Sequence, residues 1–74
     1  RVWFENPVSE EITISSIDEM VHIRITDVSG KTIYNSDKTS DYQSIDINNL
    51  PAGLYNLLVV HKDGFTTYKQ LIKP

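Results

Sequence analysis

Between Val21 and Thr26 the chain alternates strictly: Val21, Ile23 and Ile25 are apolar, and His22, Arg24 and Thr26 are polar. Successive side chains of a β-strand point to opposite faces, so this segment reads as a strand with one buried and one wetted side. The period-two pattern recurs along the chain, cut at short intervals by turn residues, and helical periodicity is sustained nowhere. The pattern predicts an all-β protein.

A first short strand is expected over Val2 to Phe4. It ends at Asn6-Pro7, where proline removes a backbone donor and drives its predecessor toward extended or turn geometry. In a second strand Ile12 and Ile14 face one way, Glu11 and Thr13 the other. Val21 to Thr26 makes the third. Asp27-Val28-Ser29-Gly30-Lys31 then reads as a turn, with Asp27 accepting from backbone donors and Gly30 taking the positive φ that closes the hairpin. Lys31 to Ser36 returns as a fourth strand with Ile33 and Tyr34 on opposite faces. Asp37 to Asp41 carries no hydrophobic content and reads as a surface loop. Tyr42 to Ile47 follows as a fifth strand, Ile45 and Ile47 inward.

Leu50-Pro51-Ala52-Gly53 reads as a rigid corner. Pro51 fits the second position of a type I turn and Gly53 the fourth, while Leu50 and Tyr55 are expected to clamp the corner from inside. Tyr55, Leu57 and Val59 form one face of the next strand. Leu54, Leu58 and Val60 make the other face apolar too, which marks the strand as central or covered on both sides. Asp63-Gly64 signals a hairpin into a last strand, Phe65 to Lys73. Two registers stay open here: a two-residue turn aligns Ile72 with Tyr55, and a three-residue turn with a glycine bulge aligns Leu71 with Tyr55. About seven short strands without helices imply two antiparallel sheets packed face to face, a sandwich.

With 74 residues the chain is expected to be one domain, 1–74, burying only about 60% of the surface its unfolded form exposes. It has no cysteine, so packing alone must hold it, without disulfide or thiolate. Seven basic against ten acidic residues give a net charge of −3, which argues against a nucleic-acid partner, since such proteins carry a basic face. The apolar run Leu57 to Val60 is far short of the roughly 20 residues that cross a bilayer. Arg1 to Pro7 lacks the long apolar segment and cleavage site of a signal peptide.

Nothing in the sequence assembles catalytic equipment. His22 and His61 each sit in a strand pattern without a ligand-spaced partner, which favours solvated or capping roles over metal binding or general base chemistry. Glu10-Glu11 and Asp18-Glu19 are neighbours that point to opposite faces of a strand. Asp37 and Asp41 lack the acidic density of a calcium loop. No nucleophile elbow or phosphate-cradling loop is present among three glycines. The aromatic residues, Trp3 among them, suit pleated surfaces and cores better than a sugar-stacking platform. No enzymatic activity, metal or cofactor is expected.

The segments FENPVSEEITI, VHIRITDVSGKTIY, IDINNLPAGLYNLLVV and YKQLIKP resemble, in order and spacing, the type A C-terminal sorting domain of the Bacteroidetes type IX secretion system. The resemblance covers nearly the whole chain. Its most specific parts are the Asp-x-x-Gly-Lys turn at Asp27 to Lys31, the corner from Leu50 to Tyr55, and the lysine-containing end. Where the family often has a proline ahead of Asn-Pro, Glu5 stands here.

The resemblance implies an immunoglobulin-like β-sandwich fused behind a secreted N-terminal cargo domain, acting as an address without catalysis. It implies passage through the periplasm, recognition by the outer-membrane translocon, and removal by a sortase-like protease at the cell surface, where the cargo stays or is released. Asn6, Pro7, Asp27, Gly30, Leu50, Pro51, Gly53 and Tyr55 correspond to the family's turn and corner residues. Lys69, Leu71, Ile72, Lys73 and Pro74 correspond to its C-terminal recognition element. The alternative is a fibronectin-like accessory module that docks a carbohydrate or a neighbouring domain. An unpaired last strand would also offer an edge for dimerisation.

Overall fold

A computed structural model describes residues 1–5 and 10–74. Asn6 and Pro7 lie outside the described residues. Six strands are present among the described residues: β1 (Val2–Trp3), β2 (Glu11–Thr26), β3 (Thr32–Ser36), β4 (Ser40–Asp46), β5 (Gly53–His61) and β6 (Thr66–Lys73). All pairings are antiparallel. The all-β expectation holds, with one correction to the strand plan: the second and third expected strands are a single strand, β2, of 16 residues.

In place of two separate sheets of about seven strands, the six strands form one antiparallel sheet that curls into the two layers of an immunoglobulin-like sandwich, and β2 serves both layers. Its first half lies between β1, with Trp3 opposite Ser15, and β4, with Ile12 opposite Ile45. Its second half lies between β3, with Ile25 opposite Tyr34, and β5, with Ile25 opposite Leu57. β6 extends this second layer beyond β5. The transition is a bulge. Met20 pairs with His61 and His22 with Val60, so Val21 is the extra residue, and an extra residue reverses which side chains face inward.

Before the bulge Ile12, Ile14 and Ser16 are buried; at and beyond it Met20, Ile23 and Ile25 are. Val21, expected on the apolar face, is therefore only half-buried, and Met20 fills the core in its stead. Ser16 is accommodated because its Oγ donates to Asp18 Oδ1 at 3.0 Å. A second irregularity changes the expectation for β3. Ile25 pairs with Tyr34 and Thr26 with Thr32, leaving Ile33 as the extra residue. Ile33 and Tyr34, expected on opposite faces, both pack against the core as a result.

The core gathers side chains from both layers: Val2, Ile12, Ile14, Ile45 and Ile47 against Ile23, Ile25, Tyr55, Leu57, Val59 and Leu71, with Met20 at the crossing. The Asp27 turn forms as the sequence predicts. Asp27 Oδ1 accepts from Ser29 N, Ser29 Oγ and Lys31 N at 3.0, 2.7 and 3.0 Å, and Gly30 N donates to Asp27 O. The Ser29 hydroxyl first, then the Lys31 amide, hold the Asp27 carboxyl below its ordinary value of 3.8.

The final hairpin resolves the two open registers. His61 N donates to Phe65 O and Gly64 N to His61 O, leaving a three-residue turn closed by Gly64 at φ 88°. Leu71 consequently stands opposite Tyr55. β5 is central in hydrogen bonding, between β2 and β6. Tyr55, Leu57 and Val59 face the core, whereas Leu58 and Val60 are half-buried and Leu54 is exposed on the outer side.

Candidate functional site: the carboxyl-terminal strand and the corner beneath it

β6 pairs with β5 along its whole length, from Val60 opposite Thr66 to Gly53 opposite Lys73. Period-two geometry divides its residues between two faces. Leu71 is fully buried, and Thr67 is half-buried with its Oγ1 2.9 Å from His61 Nε2. Tyr68 and Ile72 stand on the outer side, Tyr68 at 75% exposure. Lys69 is exposed at the rim, where it borders a shallow depression with Val2, Trp3, Phe4 and Gln70.

Lys73 shares the inward side with Leu71 and is buried. Its Nζ donates to Ile47 O at 2.6 Å and to Asn48 O at 2.9 Å. Ile47 O also accepts from Leu50 N at 3.0 Å, which closes a turn over Ile47 to Leu50. The hydrogen-bonded reversal thus falls three residues before the expected Leu50-to-Gly53 turn, and Pro51 follows it. Tyr55 completes the corner by donating from its hydroxyl to Pro51 O at 2.5 Å. Leu50 packs partly buried against the core. Gly53 adopts φ 151°, a region L-residues rarely enter, with nothing within 4 Å of where a Cβ would sit.

Of the five terminal residues singled out from the sequence, the strand therefore turns Leu71 and Lys73 inward and leaves Lys69, Ile72 and Pro74 at the surface. From the sequence, Lys73 stood only as part of the recognition element that the resemblance implies. Its shared parity with Leu71 was the signal for the inward position, and no residue pattern announced its acceptors 25 and 26 positions earlier.

At the opposite end of β6, sequence reading missed a second polar cluster. His61 is fully buried. Asp18 Oδ1 lies 3.1 Å from His61 Nδ1, but Nδ1 makes no hydrogen bond, and the carboxylate is engaged by Ser16 and Arg1. Burial first, then the Arg1 guanidinium, push the His61 pKa below 6.5, while Asp63 opposes them. Arg1 also reaches Asp63 Oδ2 at 3.1 Å and lies 4.7 Å over the Phe65 ring. Arg1 thereby ties β1 to the final hairpin.

Among the described residues no three His, Cys, Asp or Glu side chains are grouped to hold a metal ion. Among the described residues, no helix is long and apolar enough to cross a membrane. Fold and site together define a small immunoglobulin-like sandwich whose most organised feature is a carboxyl-terminal strand bolted to a Pro-Gly corner. Residues 3–73 match the family described as secretion system C-terminal sorting domain, and the chain belongs to that family. It is accordingly a type IX C-terminal sorting signal, which places it in traffic to the cell surface or beyond and in contact with the secretion system. Among curated proteins none matches the chain.

Proposed function

We propose that the chain directs a cargo protein fused to its amino-terminal side through the periplasm and across the outer membrane, itself catalysing nothing. The outer-membrane translocon recognises the terminal strand, and a sortase-like protease separates domain from cargo at the surface. The match over residues 3–73 carries this reading. The arrangement of β6 supports a division of labour among the residues named from the sequence: Leu71 and Lys73 fix the strand, while Lys69, Ile72 and Pro74 are offered to the translocon.

The test fuses residues 1–74 behind a periplasmic reporter in a bacterium that has this secretion system. The reporter is expected in the medium or on the cell surface. A folded fusion that stays in the periplasm would sink the reading.

A further inference from the structure

If the translocon reads β6, strand parity decides what else it must touch. Side chains that point outward from β6 share a face with the outward side chains of β5 and the second half of β2. On that face Arg24, Leu58 and Tyr68 form one cross-strand row, and Leu54 pairs with Ile72 two rows away. Between these rows Thr26, Asn56 and Gln70 align. A shallow depression of about 360 Å³ lies beside Tyr68, lined also by Asn56, Leu57, Lys69 and Gln70.

The face differs in charge from the rest of the molecule. The chain holds ten carboxylates, yet the positions paired outward here, from His22, Arg24 and Thr26 through Leu54, Asn56, Leu58 and Val60 to Thr66, Tyr68, Gln70 and Ile72, include none; Asp37, just beyond β3, reaches the edge of the face at His22 Nδ1, 2.7 Å away. On the other layer's outer side Glu11 stands directly opposite Asp46. Arg24 is exposed and makes no ion pair with a described residue. An exposed tyrosine beside half-buried Leu58, with Leu54 and Ile72 exposed farther along the same face and a guanidinium at the edge that no described residue pairs, matches the make-up of protein-recognition surfaces.

We propose that this face, centred on Tyr68 and Leu58 with Arg24 at its rim, is the surface by which the secretion machinery holds the domain. Its partner is a protein surface that meets Tyr68 with apolar side chains and Arg24 with a carboxylate. The inference rests on the sorting reading above and extends it from the strand to the sheet. A rim charge steers encounter and a buried aromatic anchors the complex, so the two residues contribute through separable effects.

The test uses the same reporter fusion with Tyr68→Glu and Arg24→Glu, and with Tyr42→Glu as a control on the opposite layer, where Tyr42 is 58% exposed. Each face variant is expected to lower export about tenfold or more with its melting temperature unchanged, while the control exports normally. Normal export of both face variants, or an equal loss in the control, would overturn the inference while leaving the sorting reading intact. So would an export loss matched by a fall in melting temperature. Retention of the unsubstituted fusion would instead remove the sorting reading, and this inference with it. Sedimentation showing a dimer that Tyr68→Glu dissolves would assign the face to a second copy, and saturable binding of an oligosaccharide lost in Tyr68→Glu would assign it to a glycan. Either result overturns the protein-partner assignment.

Discussion

Lys73 Nζ lies 2.6 Å from the carbonyl oxygen of Ile47, so the end of β6 and the end of the β4 segment are one hydrogen-bonded unit. Asn48 O, 2.9 Å from the same nitrogen, widens the attachment. The corner after β4 is consequently capped by a side chain that arrives from the far end of the fold.

Replacing Lys73 with Met keeps an unbranched stem in the core and removes the donor. Two carbonyls then lose a charged hydrogen-bond partner. The expected loss of stability is about 1.5–3 kcal/mol, measured by urea denaturation. A midpoint equal to that of the natural sequence would show that Leu50 N suffices for Ile47 O and that water replaces Lys73 at Asn48 O.

Gly53→Val tests the corner from the backbone side. Space is available for a Cβ, so the cost of adding one comes from φ 151°. Thermal melting is expected to report about 1–3 kcal/mol of destabilisation. Because the strain belongs to any side chain at this φ, Gly53→Ala is expected to lose stability too.

His61 makes stability depend on pH in a defined window. Its folded pKa is held below 6.5, chiefly by burial, so the unfolded chain takes up a proton first as pH falls. The stability it confers is present above the unfolded pKa and is lost as pH drops through the folded pKa. Melting temperature should therefore begin to fall as pH drops below about 6.5, before carboxylates near 4 titrate. His61→Gln, which retains a polar contact for Thr67, is expected to flatten that decline. A profile equally steep in the variant would assign the effect to other groups.

Much of this architecture is legible in the residues themselves, because alternation and turn chemistry are local. Ile12 and Ile14, Ile45 and Ile47, and the Tyr55-Leu57-Val59 face point inward as their spacing predicts. The Asp27 turn follows from an aspartate and a glycine three residues apart. Bulges defeat the same reasoning. Ser15 to Glu19 is polar but for Ile17 and interrupts the apolar alternation, yet Ser16 turns inward on a hydrogen bond to Asp18 and the strand continues. Val21 then shifts the pattern by one residue, which only pairing with β5 reveals. The site divides likewise: Leu71 and Ile72 take opposite faces as any strand requires and Lys73 shares the parity of Leu71, whereas the acceptors that hold its ammonium are distant in sequence.

One strand also governs how the fold can be assembled. Of the strands among the described residues, β1, β3, β4 and β5 all pair with β2, and β6 does not. No layer can be completed while this hub is missing, and two of its partners, β4 and β5, lie far away along the chain, an arrangement that slows folding and makes it concerted. A domain with a single hub has few stable half-built forms. For a protein that is exported, anything that keeps residues 11 to 26 engaged elsewhere would hold the whole domain open, and releasing that one segment would let both layers close together.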